Sequence, residues 1–307
     1  MDITNYEAAI KTYDTPAYKK RKRRLGDRRE GRRLRTLHPI ETITPYIMRS
    51  RSDAQNHFED IIDITNIEKF LAEKHKEGYA EMTLLHVLLA SYVRILAERP
   101  GLNRFIAGQR IFSRNNIECV MTVKKEMSIE SPDTVIKVEF DPRDDIYNVF
   151  NKFQATAHKA IAEENDVDDT AKLLTKMPRF ALRSTMAFLR FLDYHGWLPK
   201  SLEKVSPFHG SIVVTSMGSI GIPAVYHHLY DFGTLPIFFS YGNIFAADSI
   251  KRDGTRETHR FVTFKVVTDE RICDGFYYAS AFKRLMRYMQ HPELLESSPE
   301  NILEDID

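Results

Sequence analysis

Long apolar runs are missing from this sequence, and a membrane-spanning role goes with them. The longest run, residues 84–97, is broken by His86, Ser91 and Arg94 and is too short to cross a bilayer. No apolar signal segment follows the first methionine, because MDITNYEAAIKTYDTPAY is polar and mixed. Cysteine is scarce. The two present, Cys119 and Cys273, exclude a disulfide framework and a cysteine-rich zinc site. Their apolar settings, IECVM and RICDG, point to buried thiols in a reducing compartment, so the cytoplasm is the expected location. Gly/Ser-rich tracts, repeat periods and low-complexity blocks are also lacking beyond Pro39. The expected organisation is a basic N-terminal arm (1–38), one domain (39–296) and an acidic C-terminal tail (297–307). At 307 residues, 43% of them hydrophobic, the chain can bury a sizeable core.

Charge is present in quantity and unevenly placed. Residues 1–35 hold 12 Lys/Arg against 5 Asp/Glu, while the remainder holds 32 against 38. Eleven of the twelve basic residues crowd into 19–35, a stretch that repels itself and predicts an exposed arm. Such an arm either binds an anionic partner, nucleic acid or an anionic membrane, or lies on an acidic body of its own or a neighbouring chain. Six acidic and no basic residues in 293–307 predict a tail that frays.

Hydrophobic periodicity supplies the elements. HFEDIIDITNIEKFLAEKH starts as a strand and turns helical after Thr65, a predicted N-cap with Glu68 three residues on. Thr83 opens a second helix that is apolar nearly all round and stops at Arg99-Pro100-Gly101. IECVMTV and TVIKVEF read as strands, residues 146–162 as a helix, and ENDVDD as a polar break. Pro178 starts another helix, with Arg179, Arg183 and Arg190 on one face. That stripe either meets a membrane surface or a phosphate, or is the wet side of a packed helix. SIVVT, IFFSYGN and FVTFKVV are three more strands, and GFYYASAFKRLMRYMQ is a final helix closed by His291-Pro292. The interleaving lacks the strict alternation of a doubly wound sheet. A two-layer α/β sandwich with a mixed sheet fits it.

Five motifs fall in a recognisable order: Asp63-Ile64-Thr65 entering a helix, the buried 84–97 helix with ERPGLNRFIAG, TSMGSIG after a central strand, IFFSYGN, and ERICDGFYYASAFKRLMRYMQHPELL. Together they resemble the superfamily of chloramphenicol acetyltransferase and the dihydrolipoyl acyltransferase catalytic domains, over residues 40–296. GDRREGRRLR and DYHGWLPKSL further resemble a bacterial branch of that superfamily. The resemblance implies a coenzyme A-dependent acyltransferase-like fold and a homotrimer with active sites between subunits. It also implies a coenzyme A thioester as cosubstrate, with no tightly bound cofactor, and a small-molecule acceptor. In the family a histidine of the terminal motif takes a proton from a thiol or hydroxyl, a hydroxyl after the central strand donates to the oxyanion, and the motif aspartate pairs with an arginine.

Carried over by position, Asp274 and Gly275 match the motif's Asp-Gly. Ser216 matches the oxyanion hydroxyl, with Thr215 beside it and Gly218 in the same cofactor-side turn. The histidine position is Glu270. Deprotonating a thiol is about 2 pKa units harder for Glu than for His, or about 3 kcal/mol. That is about a hundredfold in rate if the transition state feels it all. Glu270 is thus either the base of an altered site or a strand-end carboxylate on a lapsed one. His228, with its neighbour His227, is the alternative base, while two histidines without further clustered ligands argue against a metal. Arg49 and Arg51 are the expected partners of Asp274, which predicts a buried, arginine-paired carboxylate. No lipoyl-bearing segment is expected in the chain, which favours a free-standing trimer over a dehydrogenase-complex core.

Overall fold

The computed structural model describes residues 3–19, 21–124, 133–162, 175–250 and 252–307. Lys20 of the basic stretch and the ENDVDD break at 164–169 lie outside them. In chain order the elements are α1 (Ile3–Ala9), β1 (Gly31–Arg33), α2 (Pro39–Ile47), β2 (Gln55–Asp63), α3 (Thr65–Lys76), α4 (Leu84–Glu98), β3 (Arg104–Ala107), β4 (Arg110–Arg114), β5 (Ile117–Lys124), β6 (Asp133–Phe140), α5 (Ile146–Ala162), α6 (Arg179–His195), α7 (Lys200–Val205), β7 (Ile212–Ser216), β8 (Ile237–Ile250), β9 (Arg256–Asp269) and α8 (Gly275–Gln290).

The main sheet has the order β2-β9-β8-β7-β5-β6. β7 runs parallel to both its neighbours and the other pairings are antiparallel, so the sheet is mixed as expected. Alternation assigns its two faces. Cys119, Val138, Ile212, Val214, Phe239 and Val266 point to a core shared with α3, α4, α5 and α8. Val213, Phe238 and Val267 point the other way and are covered by Leu229 from the β7–β8 connection. A second, small sheet, β1-β4-β3, sits apart from the first.

α4 is the centre of the helical layer, buried from Leu85 to Ala97. Its polar residues survive burial by finding backbone partners: Ser91 Oγ donates to Val87 O (2.7 Å), and Arg94 Nη1 donates to Leu294 O (3.0 Å) beneath the Tyr288 ring. His86 Nδ1 accepts from Thr83 N (3.0 Å), which closes the first turn. Thr65 is the first helical residue of α3 rather than its cap. The cap position is Ile64, whose side chain carries no acceptor to cap with, and Asp63 before it accepts from Thr65 N through Oδ1 (2.8 Å).

The arm and the tail hold one another. Arg21 pairs with Glu304 and Asp307, Arg24 with Asp307, and Arg32 donates to the carbonyls of Asp305 and Ile306. The tail does not fray, because Asp305 is buried and bidentate to Arg104 (2.8 and 2.6 Å). Further along the arm, β1 joins β4, and Arg28 donates to Tyr194 O (2.6 Å) at the end of α6. His209 fastens the same corner, its Nε2 3.1 Å from Asp193 Oδ1 and its Nδ1 2.8 Å from Ser206 Oγ.

α6 departs from the packed-helix reading of its arginine stripe. Arg179, Arg183 and Arg190 are exposed, but so are Phe180, Phe188 and Phe191 on its apolar side, and no residue of the helix is buried. Its C-terminal end is anchored to the body of this chain through Tyr194 O and Asp193.

Candidate active site

β7 ends at Ser216, and the chain turns through TSMGSIG across the adjacent strand. That crossing is possible only with glycines. A Cβ on Gly218 would lie 2.5 Å from Gly242 O, and one on Gly242 would lie 2.4 Å from Ala224 N. Met217 N donates to Tyr241 O (2.8 Å), and a bulge in β8 between Tyr241 and Ile244 makes room. The turn leaves Ser216 and Thr215 half-buried at the strand end. The Ser216 hydroxyl faces the Tyr241 phenol, whose pKa burial raises and that hydroxyl contact lowers. Gly218 therefore has a packing reason to be glycine, whatever ligand reaches it.

From this turn the chain runs back over the outer face of the sheet. Val225 N donates to Ser240 Oγ (2.9 Å), and Leu229 is buried over Phe238. Between them the half-buried His227 ring stacks on Phe238, with centroids 4.2 Å apart at 7°, and on His228 at 4.6 Å. His227 Nδ1 is 2.8 Å from His228 O. A carbonyl only accepts, so Nδ1 carries the proton and Nε2 keeps the lone pair. His228 is exposed and edge-on to Tyr230.

Glu270 is exposed on the turn after β9, its backbone N donating to Ala54 O (2.8 Å). The residues on either side of it lock that turn. Asp269, fully buried, accepts from Arg271 Nε (2.8 Å) and Nη2 (2.7 Å), and Arg271 Nη1 donates to Met48 O (3.0 Å). Arg51 Nε lies 3.7 Å from Asp269 Oδ2, while its remaining nitrogens donate to Ile106 O, Tyr230 O and Asp231 O. Burial pushes the Arg51 guanidinium down to about 10, with Asp269 opposing and Arg271 adding to the shift.

This network corrects the expectation for Asp274. That aspartate is exposed and caps α8, its Oδ1 accepting from Tyr277 N (2.7 Å), with no arginine partner among the described residues. Arg51 spends its charge on Asp269, and Arg49 is exposed. Gly275, the first residue of α8, has nothing within 4 Å of an added Cβ. Sequence reasoning missed Asp269 and Arg271. The signal available was a carboxylate and a guanidinium two residues apart at the end of a buried strand.

The predicted residues do not meet within one chain. Ser216 is paired with Tyr241, whereas Thr268 is paired with Ile237, and Glu270 lies two residues beyond it. At ~3.3 Å per residue along β8, Ser216 and Glu270 stand about 15 Å or more apart, at opposite ends of the sheet. Among the described residues, no group of three or more His, Cys, Asp or Glu side chains gathers as metal ligands, and no helix is long and apolar enough to cross a membrane.

No family model matches the sequence, and no curated protein matches it. Solved structures do match. A probable dihydrolipoamide acetyltransferase from Listeria monocytogenes is 15% identical, with 84% of this chain and 95% of that one covered at a TM-score of 0.50. The truncated catalytic core of a 2-oxoacid dehydrogenase multienzyme complex from Thermoplasma acidophilum is also 15% identical, with 85% and 99% covered at 0.50. A chloramphenicol acetyltransferase is 11% identical at 0.46. The chain has the fold of the coenzyme A-dependent acyltransferases. In fold it is similar to the dihydrolipoamide acetyltransferase catalytic domains.

Proposed function

We propose that the protein transfers an acyl group between coenzyme A and a small acceptor, at a channel that a second copy of the chain completes within a homotrimer. The observation that carries this reading is the placement of Ser216 and Glu270: both are accessible, and they stand at opposite ends of one protomer's sheet. Neither end is a site alone. Two copies set end to end bring one copy's serine to the other's carboxylate. In that site Glu270 takes the proton from the attacking thiol or hydroxyl, and the attacking atom adds to the thioester carbonyl. Ser216 donates to the oxyanion, and the proton is returned to the departing sulfur. Thr215, Gly218 and Gly275 border the cofactor path. Asp274 acts by fixing the first turn of α8, and the Asp269–Arg271–Arg51 network holds the turn that carries Glu270.

A relocated base is the second form of this reading, supported by the proton position in His227. In the neutral ring its Nε2 is the accepting nitrogen, beside the exposed His228 on the outer face of the sheet. The competing reading is a lapsed trimeric scaffold that binds acyl-coenzyme A, or an anionic partner through the basic arm, without turnover.

Mixed oligomers separate these. Ser216→Ala and Glu270→Gln chains, each inactive in thioester cleavage, should regain activity when co-expressed, because some sites then receive both intact residues. No recovery would mean that each site is built within one chain. If Glu270→Gln is tolerated while His227→Ala or His228→Ala is not, the base is relocated. A wild-type protein silent toward every thioester, with no coenzyme A binding by calorimetry, leaves the scaffold.

A further inference from the structure

The folded-back arm encloses a cavity of about 640 Å³ against the body, between arm residues 16–32, the start of β5, the end of β6 and the tail. That is the size of a small-molecule site. Its described lining carries nine cationic and five acidic side chains. The acids are largely committed: Asp141 is bidentate to Arg143 and Asp305 to Arg104, and neither arginine lines the cavity. Six of the nine cations have no such ion pair: Lys19, Lys22, Arg23, Arg29, Arg114 and Lys200 all line it, and none has a carboxylate within ion-pair distance among the described residues.

Arg114 separates this from a merely basic surface. It is 5% exposed, its guanidinium lies 4.4 Å over the Phe105 ring, and Nη2 donates to Thr234 Oγ1 (2.7 Å) while Nε has no partner. Burial lowers its pKa although Glu118, Glu30 and Glu203 oppose the shift from beyond ion-pair distance. A buried guanidinium without a paired carboxylate is costly, and an anion in the cavity would relieve that cost. We propose that this cavity binds a small phosphorylated anion bearing at least two phosphate charges, held by Arg114 at the wall and by Lys22, Arg23 and Lys200 at the mouth. Guanidinium forks suit phosphate oxygens, and several cations converging on one volume select multiple charge over a single carboxylate. An extended polyanion fits less well. Arg21, Arg24 and Arg32 are occupied by the tail, and Glu304 at the rim would repel a strand laid along the arm. The inference does not depend on acyl transfer.

Calorimetry on the full chain with inorganic tripolyphosphate tests it. One equivalent should bind per chain, more weakly at high salt. Affinity should fall at least about tenfold in Lys22→Ala/Arg23→Ala, whose positions are exposed and leave folding intact, and likewise in Arg114→Gln. Displacement by coenzyme A or by its 3′-dephospho form, both of which carry a diphosphate, would name a nucleotide's phosphates as the source, and displacement by neither would name a free polyphosphate. No binding at low salt, affinity unchanged in the exposed double variant, or binding of single-stranded DNA but not tripolyphosphate would overturn the proposal.

Discussion

Asp269 and Asp274 divide between them the duties that the motif assigns to one aspartate. Asp269 sits at the buried end of β9, where its charge is kept only by a bidentate arginine and a second guanidinium nearby. Asp274 is at a helix start, where exposure and a backbone N–H suffice. The energetic difference should be plain in urea unfolding. Asp269→Asn should cost about 3–5 kcal/mol, because two buried arginines are left facing a neutral group. Asp274→Ala should cost about 1 kcal/mol, the loss of a cap. Equal effects would mean that the burial argument fails. The motif located the aspartate by spacing, but pairing depends on which carboxylate the sheet buries. Spacing carries no information on that.

Among the elements, α4 was the most legible, because eleven apolar residues in fourteen have one destination. Its buried histidine was not, and it makes the helix sensitive to acid. Burial lowers the His86 pKa to about 3, with Glu81 and the Thr83 backbone opposing. The unfolded chain therefore binds this proton near its ordinary 6.5 and the folded chain does not. The stability this contributes is complete above pH 6.5 and is lost progressively as pH falls toward 3, by at most ~1.4 kcal/mol per pH unit. His86→Gln, which keeps an acceptor for Thr83 but does not titrate there, should flatten that slope in unfolding curves taken between pH 6.5 and 4. The strands IFFSYGN and FVTFKVV were read correctly in kind and too short in length. β8 and β9 each run for fourteen residues, and the added stretches, IFAADSI and RETHR, are exposed apart from the half-buried His259 and carry no burial pattern to read. β1, β3 and β4 escaped notice for the opposite reason, being three to five residues long.

At the scale of the whole molecule, two exposed features ask for a second copy: the divided site and the apolar face of α6. The protein should therefore run in light scattering near three times its 35.7 kDa. Charge placed on the distal hairpin, as in Phe245→Glu with Ile250→Glu, should shift it toward monomer without unfolding it, since neither side chain is buried in the single chain. A monomeric wild type would remove the basis for an inter-subunit site. The mixed sheet and its helical layer were readable because periodicity reports burial within one chain. The arm–tail union was not, since pairing between residues nearly three hundred positions apart leaves no local trace.

The distal hairpin has one more consequence, on the timescale of amide exchange. Beyond Tyr241, β8 has lost β7 as a neighbour, and before Arg260, whose carbonyl accepts from Ile64 N (2.8 Å), β9 has no β2 partner, so residues 244–250 and 256–259 form a ribbon with both outer edges unpaired among the described residues. A lone two-stranded ribbon is marginally stable in water, and its open edge is a template for another strand. In deuterium oxide, amides on the outer edge of β8 should exchange within the dead time if the ribbon stands alone. Protection there, lost on dilution in step with the scattering mass, would show that the sheet continues from one copy into the next.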